Sequence, residues 1–395
     1  MTEAGKAPGG AVYLGVVFAF ALGMIGTTMP TPLYPLYQQA YGYSQLMITV
    51  IFAVYALGVL GALLVTGRWS DQLGRRPLLL AALVLSAFSD LIFAWANGLG
   101  FILAGRIVSG LSAGILTGTA TVALMELVPA QWRKWATFAA TAANMGGLGL
   151  GPILSGAISV ALPMPVLMPF VLHFLLALVA LVCIWRAPET AKLPDTPRLT
   201  VQRPSLPPEV RAIFLPASIA AFAGFMVCGF FTAMAPAFLG HVMGITGRLA
   251  IGAIAGMLFI CSTIGQLLMQ RLPDGRQMIF GTALLLAGVV ILGLGFAGES
   301  LALLLPGVAL AGAGQGISFR SGMGDIAGAA RPQDRAGVIS TYFIVAYVAI
   351  SLPVVGIGLL SGAIGLKQTG ELFAVVVTAL LVLALVMLGR LRRRF

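Results

Sequence analysis

The sequence predicts an all-α membrane protein with twelve transmembrane helices in two pseudo-symmetric six-helix bundles. Hydrophobic residues make up 59% of the 395 residues, charged residues make up 9%, and the mean hydropathy is +1.02. A soluble domain carries about 25% charged residues, so this composition excludes a soluble globular protein. Apolar runs of about 20 residues can cross a bilayer as helices, and a polar, proline-rich stretch divides these runs into two sets of six.

The twelve predicted spans follow one another with mostly short connections. The first is interpreted as a retained helix, because its apolar run is longer than the core of a cleaved signal. Three prolines near the end of this span predict an irregular backbone there, which is tolerated at membrane depth where it lines a cavity. The predicted spans cover residues 11–37, 44–66, 78–97, 100–123, 136–160, 166–186, 211–239, 249–270, 277–297, 301–328, 336–360 and 369–390.

The net charge of +11 is explained by membrane topology. Nineteen of the 23 Lys and Arg residues fall on one side of the predicted membrane, two fall on the other side, and Arg106 and Arg320 lie within spans. With both termini in the cytoplasm, this bias follows the positive-inside rule, so no nucleic-acid partner is needed. The nineteen are Lys6, Arg68, Arg75, Arg76, Arg133, Lys134, Arg186, Lys192, Arg198, Arg203, Arg211, Arg271, Arg276, Arg331, Arg335, Arg390, Arg392, Arg393 and Arg394; the two are Arg248 and Lys367.

A connector between the two halves is predicted at residues 187–210. Six prolines lie in this polar stretch, and prolines prevent a continuous helix and leave an extended chain. The predicted domains are therefore an N-terminal bundle at residues 1–186 and a C-terminal bundle at residues 211–395, joined by this cytoplasmic linker.

The two halves also look related to each other. Gly67 and Gly265 lie at the ends of spans 2 and 8, 198 residues apart, and Pro129 and Pro332 follow spans 4 and 10, 203 residues apart. Similar offsets near half the chain length suggest an internal duplication. In transporters such repeats place the substrate near the midplane, between the halves.

A charged loop, GRWSDQLGRRP, follows the second span. Its glycines allow a tight reversal, and its aspartate can accept hydrogen bonds from the free N–H groups of the next helix; both features suit any helical hairpin at a membrane face. The order of residues is more specific, and it resembles the loop between helices 2 and 3 of the major facilitator superfamily. The residues that carry the resemblance are Gly67, Asp71, Gly74, Arg75 and Arg76.

Arg106 lies deep in span 4 and is followed at four-residue intervals by Gly110, Gly114 and Gly118. This spacing clears one helical face for a close neighbour, and an arginine at this depth requires a partner or water. Asp90 of span 3 is the nearest acid at similar depth. Either it forms an ion pair with Arg106, or Arg106 contacts the substrate or the proton route. The Arg-x3-Gly-x3-Gly arrangement is similar to the fourth-helix motif of the same superfamily.

Span 5 contains the sequence NMGGLGLGPILSG, in which Gly147, Gly151, Pro152 and Gly156 form a smooth face. Such a helix can bend and pack closely on a partner, and generic helix packing is the alternative interpretation of the pattern. The pattern resembles the antiporter motif of proton-driven exporters in the superfamily, although Ser155 stands where those proteins have a second glycine. The resemblance implies export, because importers of the superfamily usually lack the motif.

Glu126 closes span 4. In the superfamily an acid here joins the aspartate and arginine of the preceding loop in a charge cluster that locks the cytoplasmic side. A carboxylate at a helix C-terminus opposes the helix dipole and needs a cationic neighbour, whereas a solvated surface acid is the alternative. The resemblance implies a cytoplasmic gate formed by Gly67, Asp71, Gly74, Arg75, Arg76 and Glu126.

Candidates for the substrate cavity are polar, charged, aromatic or methionine residues that lie within several of the predicted spans. Helices 1, 4, 7 and 10 line the cavity in the superfamily fold, and span 7 carries phenylalanines and methionines at four-residue spacing. These are packing or lipid-facing residues in one interpretation, and in the other they form a soft wall for apolar substrates. The candidates are Tyr34, Arg106, Asn144, Phe222, Met226, Phe230, Gln315 and Arg320.

Candidates for proton coupling are the ionisable residues near the membrane interior, namely Asp90, Arg106, Glu126 and Asp325. His173 of span 6 can also titrate, although a packed and hydrogen-bonded histidine is the simpler interpretation. Span 1 contains no acid, unlike some drug exporters of the superfamily, so their coupling mechanism does not transfer directly.

The sequence therefore predicts a superfamily transporter similar to the proton-driven multidrug exporters, which exports small amphipathic compounds by alternating access. A transporter of a defined metabolite, such as a sugar or an organic anion, is the alternative. Two histidines and scattered acids do not provide an enzyme's catalytic or metal-binding cluster, so neither enzymatic activity nor a cofactor is expected. The expected partners are a small-molecule substrate, protons and lipid. We expect a monomer in the inner membrane with both termini in the cytoplasm.

Overall fold

A computed structural model describes residues 9–392 of the chain as a bundle of long helices. The twelve principal helical segments are labelled α1 to α12 in chain order. They are α1 Gly10–Tyr41, α2 Gln45–Thr66, α3 Arg75–Ala94, α4 Leu99–Leu127, α5 136–161, α6 Leu167–Trp185, α7 Pro208–His241, α8 Arg248–Arg271, α9 Gln277–Ala297, α10 Leu301–Ala329, α11 Arg335–Ile364 and α12 Leu366–Arg392. Lys6, Arg393 and Arg394 of the predicted charge pattern lie outside the described residues.

The prediction of an all-α membrane protein is confirmed. Eleven helices of the described chain are long and apolar enough to cross a membrane. The remaining segment, α5, lies where the fifth span was predicted and is helical in three consecutive parts, Ala136–Thr141, Ala142–Gly146 and Gly147–Ala161. Its glycines, Asn144 and Pro152 lower its hydropathy.

Three helices depart from regular α-helix inside the bundle. In α1 a 3-10 turn at Thr31–Leu33 interrupts the helix, as the three prolines predict. In α5 and α7 a five-residue π-helical segment interrupts the α-helix, at Ala142–Gly146 and Phe230–Met234 respectively. Such bulges shift the helical register and are frequent at functional sites. Both π segments lie next to the interface between the two halves.

The two halves meet through two pairs of helices. On one edge of the bundle α2 packs against α11, and on the other edge α5 packs against α8. Because successive helices run in opposite directions, the loops divide between two ends. We call the end with the loop after α2 and the chain between α6 and α7 the linker face, and the other end the opposite face.

The chain between α6 and α7 follows the linker face without regular helix. The backbone N–H of Gln202 donates to the carbonyl oxygen of Leu64 at 2.7 Å, and its side-chain amide oxygen accepts from Arg68 Nε at 2.8 Å, which fastens it to α2. Three residues later, Ser205 exchanges hydrogen bonds with Thr341 of α11. The connector is therefore hydrogen-bonded to one helix of each half through two residues that are three positions apart.

Candidate functional site

A cavity of 510 Å³ lies between the two halves. Eight helices line it: α1, α2, α4 and α5 from the N-terminal half, and α7, α8, α10 and α11 from the C-terminal half. On α4 the lining residues run from Thr117 to Met125, and on α5 from Thr137 to Leu148, which are the parts of these helices nearer the linker face. The cavity therefore extends from the middle of the bundle toward that face.

The wall of the cavity is largely aromatic and thioether, with one strong charge. Five phenylalanines and four methionines contribute to the lining, together with threonine hydroxyls and the amides of Asn144, Gln266 and Gln315. Among the described residues Arg320 is the only Arg or Lys in the lining, and no described Asp or Glu lines it. Its Nη1 donates to Oγ1 of Thr141 at 3.0 Å, so the guanidinium reaches from α10 across to α5.

Three of the eight predicted cavity residues line this space, namely Asn144, Gln315 and Arg320. The structure does not place the other five there. Tyr34 packs in a separate apolar cluster after the 3-10 turn of α1, and the residue is 1% exposed. The others outside the lining are Arg106, Phe222, Met226 and Phe230.

The residues predicted on α7 fall on the wrong side of the helix. Phe230 stacks on Phe373 of α12, with ring centroids 4.6 Å apart, so it belongs to the packing of the C-terminal half. The residues of α7 that do line the cavity are Phe225, Cys228 and Thr232. They are spaced at three and four residues, as expected for one face of a helix. The evenly spaced phenylalanines and methionines of α7 predicted the neighbouring face of the helix as the cavity wall.

The sequence reasoning also missed α2, α8 and α11 as cavity helices. Tyr55, Phe259 and Phe343 line the cavity from these helices. Nothing local in the sequence separates these residues from lipid-facing aromatics. The helix pairing between the halves is what turns them inward.

The opposite face is closed by close packing of α5 on α1 and α8. A Cβ added to Gly147 would lie 2.7 Å from the carbonyl oxygen of Ala21 in α1, and one added to Gly156 would lie 2.6 Å from that of Arg248 in α8. Arg248 also donates from Nη2 to the carbonyl oxygen of Ser159 at 2.8 Å. The glycines of the predicted antiporter motif thus allow backbone-to-backbone contact within the N-terminal half and between the halves.

The remaining motif residues complete this contact. Gly151 faces α1, where an added Cβ would meet Ile25 and Thr28, and Pro152 packs against Gly252 of α8. Thr28 Oγ1 donates to the carbonyl oxygen of Leu148 at 2.8 Å. On the α2–α11 edge, Thr49 lies against Gly358.

A second cavity, of 650 Å³, lies at the opposite face between the two halves. Polar side chains including Gln38, Gln45 and His241 contribute to its lining. Gln45 Nε2 donates to the carbonyl oxygen of Ala233 in the π segment of α7 at 3.1 Å. This second cavity therefore lies on the α2–α11 edge, next to the contact of Thr49 with Gly358.

Three predicted gate residues form a charge cluster at the linker face. Arg75 Nη2 lies 2.6 Å from Asp71 Oδ1 and 3.3 Å from Glu126 Oε1. The arginine side chain is 10% exposed, whereas those of Asp71 and Glu126 are 59% and 34% exposed. One guanidinium therefore joins the loop after α2 to the end of α4, and Glu126 is more than an isolated surface acid.

The next helix is capped differently from the prediction. Glu189 of the connector, rather than Asp71, accepts hydrogen bonds from the N–H groups of Arg75 and Arg76, at 2.8 and 3.0 Å. Gly74 has φ +107°, a conformation that favours glycine, and Glu189 lies directly against it. Gly67 has ordinary helical angles, with φ −55° and ψ −24°, so only one of the two glycines makes the reversal.

Arg106 is fully buried and has no carboxylate partner among the described residues, so of the two interpretations that the sequence left open, the ion pair with Asp90 is not formed here. Its Nη1 donates to the carbonyl oxygen of Thr27 in α1 at 2.7 Å, and its guanidinium carbon lies 4.9 Å from the ring centre of Tyr55 and 5.5 Å from that of Phe52. Aromatic faces and a carbonyl thus take the place of an acid. The side chain lies beside the cavity helices without entering the lining.

Asp90 instead pairs with His173 of α6. Its Oδ2 lies 2.7 Å from His173 Nδ1, and His173 Nε2 lies 2.9 Å from the carbonyl oxygen of Leu22 in α1. The prediction of a packed, hydrogen-bonded histidine is confirmed, but its acidic partner was not foreseen. The two residues are 83 positions apart, and only the packing of α3 on α6 brings them together.

Asp325, the fourth predicted proton-coupling residue, is exposed on α10 near the linker face. It lies outside the lining of the main cavity and forms no ion pair with Arg320. Within residues 9–392 no three His, Cys, Asp or Glu side chains come together as a metal site.

Comparison with known proteins places these features in a family. A sequence model described as Major Facilitator Superfamily matches residues 16–353. The tetracycline resistance protein, class D, of Salmonella ordonez is 31% identical over 152 residues, which are 37% of this chain and 36% of that protein. The putative multidrug resistance protein MdtD of Salmonella typhi is 28% identical over 144 residues, which are 36% and 30% of the two chains. These matches span about a third of each relative's length.

Solved structures show the same fold over nearly the whole chain. A bacterial homologue of the human lysosomal transporter Spinster, in an inward-facing and occupied conformation, superposes with a TM-score of 0.74 at 16% identity, covering 99% of this chain and 98% of that one. The human organic anion transporter MFSD10 superposes with a TM-score of 0.66 at 18% identity, covering 96% and 99%. At these identities the likeness shows the fold alone.

Proposed function

The chain belongs to the major facilitator superfamily, and from this premise we propose that it is a proton-coupled exporter of small amphipathic compounds. Members of the superfamily are transporters that bind small molecules within a lipid bilayer, and this chain is a multi-pass membrane protein. The relatives named as tetracycline and multidrug resistance proteins support the finer assignment to export. Substrate and proton move in opposite directions in this proposal.

The observation that carries the proposal is the character of the 510 Å³ cavity. Ligand pockets of about 300–1,000 Å³, lined by apolar groups with few polar anchors, suit drug-sized molecules. Methionine and phenylalanine walls adapt to different shapes, and the threonine and amide groups can orient a polar end.

Alternating access follows from how the halves meet. We take residues 1–186 and 211–395 as two bundles that rock about the central site, with residues 187–210 as the linker. In the described conformation the helices touch at the opposite face, and the cavity extends toward the linker face. The excess of Lys and Arg at the linker face supports a cytoplasmic location for it. Both termini are then cytoplasmic, and the protein lies in the inner membrane as a monomer.

The charge cluster at the linker face fits a gate element within this scheme. Arg75 joins Asp71 to Glu126 inside the N-terminal half, and the connector is bonded to the same corner through Glu189. We assign Gly67, Gly74 and Arg76 to the same gate because they form the loop that carries the cluster. When the cytoplasmic side closes, this rigid corner provides the surface on which the other half docks.

A second candidate function is transport of an amphipathic organic anion. The observation that favours it is Arg320, the one Arg, Lys, Asp or Glu that residues 9–392 contribute to the cavity lining. A cation with no acid beside it in an apolar wall favours a carboxylate or another anionic group on the substrate. The same arginine disfavours substrates with a fixed positive charge, so the two candidates share a cavity but differ in the charge of the preferred compound.

The first experiment is a susceptibility panel in a bacterial host that lacks its own major exporters. The protein is expressed at matched levels as wild type and as Arg320→Gln, and the panel contains neutral, anionic and cationic amphipathic antibiotics and dyes. We expect protection against a subset of these compounds, with the anionic ones depending most on Arg320. Protection against none of the compounds would contradict multidrug export.

The second experiment tests coupling. A compound against which the protein protects cells is added to everted membrane vesicles with an imposed pH gradient. Its accumulation is followed before and after the gradient is collapsed. We expect accumulation to stop when the gradient collapses. Accumulation that ignored the gradient would overturn the proton antiport while leaving export intact.

A further inference from the structure

Asp90 and His173 form an enclosed pair behind α1, on the side away from the main cavity. Their side chains are 4% and 2% exposed. The face of α1 that contacts His173 carries Leu22 and Gly26, one turn apart, whereas Met24 lines the cavity from the other side of the helix. One helix therefore separates the titratable pair from the substrate space.

The hydrogen bonds of His173 determine how many protons the Asp90–His173 pair holds. A backbone carbonyl is only an acceptor, so Nε2, 2.9 Å from the oxygen of Leu22, carries a hydrogen. The contact of 2.7 Å between Nδ1 and Asp90 Oδ2 requires a second hydrogen between these atoms, because two lone pairs at this distance repel. The pair is either imidazolium with carboxylate or imidazole with carboxylic acid, and both forms have net charge zero.

Loss of one proton would leave the pair with a charge of −1. Neutral imidazole has a single N–H, so it could serve either Leu22 or Asp90 but not both. An isolated buried carboxylate is costly in an apolar medium. The arrangement seen here is therefore the proton-loaded form, and the unloaded form requires movement of α1, α3 or α6.

The ionisable neighbours on the surrounding helices are few. On α4, Arg106 starts from the same level as Asp90, because Ser89 Oγ donates to the carbonyl oxygen of Gly105 at 3.1 Å. Its guanidinium is directed to Thr27 instead. The remaining ionisable side chains on α1, α3, α4 and α6 are tyrosines of α1 or lie toward the linker face. They are Tyr13, Tyr34, Tyr37, Tyr41, Arg75, Arg76, Glu126 and Cys183.

We propose that the Asp90–His173 pair is the site that binds the transported proton, and that α1 links it to the substrate cavity. This proposal rests on the proposed export function. The proton enters from water at the opposite face, since Asp90 is four residues from the end of α3 there, which is about 6 Å along a helix. Binding it satisfies Leu22 and holds α1 in the conformation whose cavity extends toward the linker face.

Release of the proton to water on the linker-face side, as antiport requires, gives Asp90 a negative charge, for which Arg106 is the available buried cation. To reach Asp90 the guanidinium must leave the carbonyl oxygen of Thr27, and His173 can no longer serve both of its partners. Both changes act on α1, which carries Met24 and Thr28 of the cavity wall. The ion pair of Arg106 with Asp90 thus belongs to the unloaded state in this scheme.

The first test observes His173 directly in the full-length protein. The chain has two histidines, so a His241→Gln variant labelled with ¹⁵N-histidine in lipid nanodiscs gives the imidazole signals of His173 alone. We expect Nε2 to carry a proton at every pH at which the loaded form is populated, with the second proton shared with Asp90 and lost in one pH transition. A neutral imidazole with a bare Nε2, or no transition between pH 5 and pH 9, would overturn the proposal.

The second test measures conformation without any substrate. Nitroxide labels are placed on cysteines introduced at Gln39 of α1 and Ala363 of α11, both exposed at the opposite face, in a protein whose three native cysteines are replaced by serine. One linked proton changes the ratio of two states by up to about tenfold per pH unit. We expect this response in the labelled parent and less than about a twofold change in Asp90→Asn, which removes the ionisable carboxyl of the pair.

His173→Gln is the second variant, in case Asp90→Asn does not fold; it leaves Asp90 as the one titratable group of the pair, so the midpoint of its pH response should move away from that of the parent, and an unmoved midpoint contradicts the proposal. His241→Gln is the matched control and should keep the full response. A parent protein whose label distances ignore pH, or an Asp90→Asn protein that keeps the tenfold response, contradicts the proton site. Neither test needs an exported compound. If the protein protects cells against no compound of the panel, the export function is refuted, while the two tests of the proton site keep their own outcomes.

Discussion

Arg320 of α10 donates a hydrogen bond to Thr141 of α5 across the main cavity, at 3.0 Å. The contact joins the two halves through a threonine hydroxyl, a weak partner for a guanidinium, and it leaves most of the five N–H donors of the arginine free. A substrate with an anionic group can take these donors and displace the hydroxyl.

Replacing Arg320 with lysine should therefore weaken protection against anionic compounds, because the planar fork is lost while the charge remains. Replacing it with glutamine should weaken protection further and spare neutral compounds. Loss of a charge-assisted hydrogen bond costs about 1.5–3 kcal/mol, which corresponds to roughly a tenfold to hundredfold loss of affinity. Binding titrations of the purified variants measure this loss. Thr141→Val is the control, and it should leave anion preference in place.

The face of α7 that binds substrate can be tested with two phenylalanines. Phe225 lines the cavity, whereas Phe222, less than one turn away, packs against the C-terminal core without entering the lining. Phe225→Ala should change which compounds are exported, because it widens an apolar wall. Phe222→Ala should leave the substrate profile unchanged at equal expression. The same shift in both variants, read from the susceptibility panel, would mean that α7 is rotated from its position here.

The behaviour of α7 also shows how far the sequence predicts this protein. Apolar run lengths locate the spans to within a few residues, because lipid imposes both length and composition on each helix. Helix rotation is different. Phe222, Met226 and Phe230 form a regular stripe, and Phe225, Cys228 and Thr232 form an equally helical one. Only contacts with other helices decide which stripe faces the cavity.

The closure at the opposite face depends on glycine in α5. Gly156→Ala places a methyl group 2.6 Å from the carbonyl oxygen of Arg248, so α5 and α8 must move apart there. Overpacking of this kind costs about 1–3 kcal/mol, and we expect the population to shift toward the state open at the opposite face. Nitroxide distances between Gln39 and Ala363 should lengthen. Gly61→Ala, with no atom within 4 Å of the added methyl, is the matched control.

The capping of α3 by the connector makes a prediction about stability. Glu189 accepts from two N–H groups at the start of α3, and removing such a cap typically costs about 0.5–2 kcal/mol. Glu189→Ala should therefore lower the thermal unfolding temperature of the purified protein. Glu299→Ala removes the partner of Lys367 at a solvent-exposed pair and should change it little, since exposed ion pairs contribute about 0–1 kcal/mol.

Variants of the Arg75 cluster test whether the loop after α2 is a gate element or only a hinge. Arg75→Ala leaves Asp71 and Glu126 without their shared cation and should impair transport more than Asp71→Asn, which keeps the Arg75–Glu126 contact. The initial rate of uptake into everted vesicles measures both. If Asp71→Asn leaves both transport and label distances unchanged while Arg75→Ala abolishes transport, Glu126 is the essential partner. Unchanged transport in both variants would reduce the loop to a hinge.

The charged residues in the membrane show a second limit of sequence reasoning. Depth along α3 and α4 correctly placed Asp90 and Arg106 at one level, but depth does not say to which side a side chain turns. The histidine that pairs with Asp90 comes from α6, and the carbonyl that accepts from Arg106 comes from α1. Neither partner is marked by a motif. The motif residues at Asp71, Arg75 and Glu126 were foreseen as a group because family resemblance supplied their contacts.

The connector also restricts how the molecule can open. Gln202 is bonded to α2 and Ser205 to α11, and three residues of chain span at most about 11 Å between their Cα atoms. While these bonds hold, the ends of α2 and α11 at the linker face cannot separate, and the two halves can only pivot about this edge. The wider mouth must then form along the α5–α8 edge, so a compound reaches Arg320 obliquely, from one flank of the protein, instead of along its central axis.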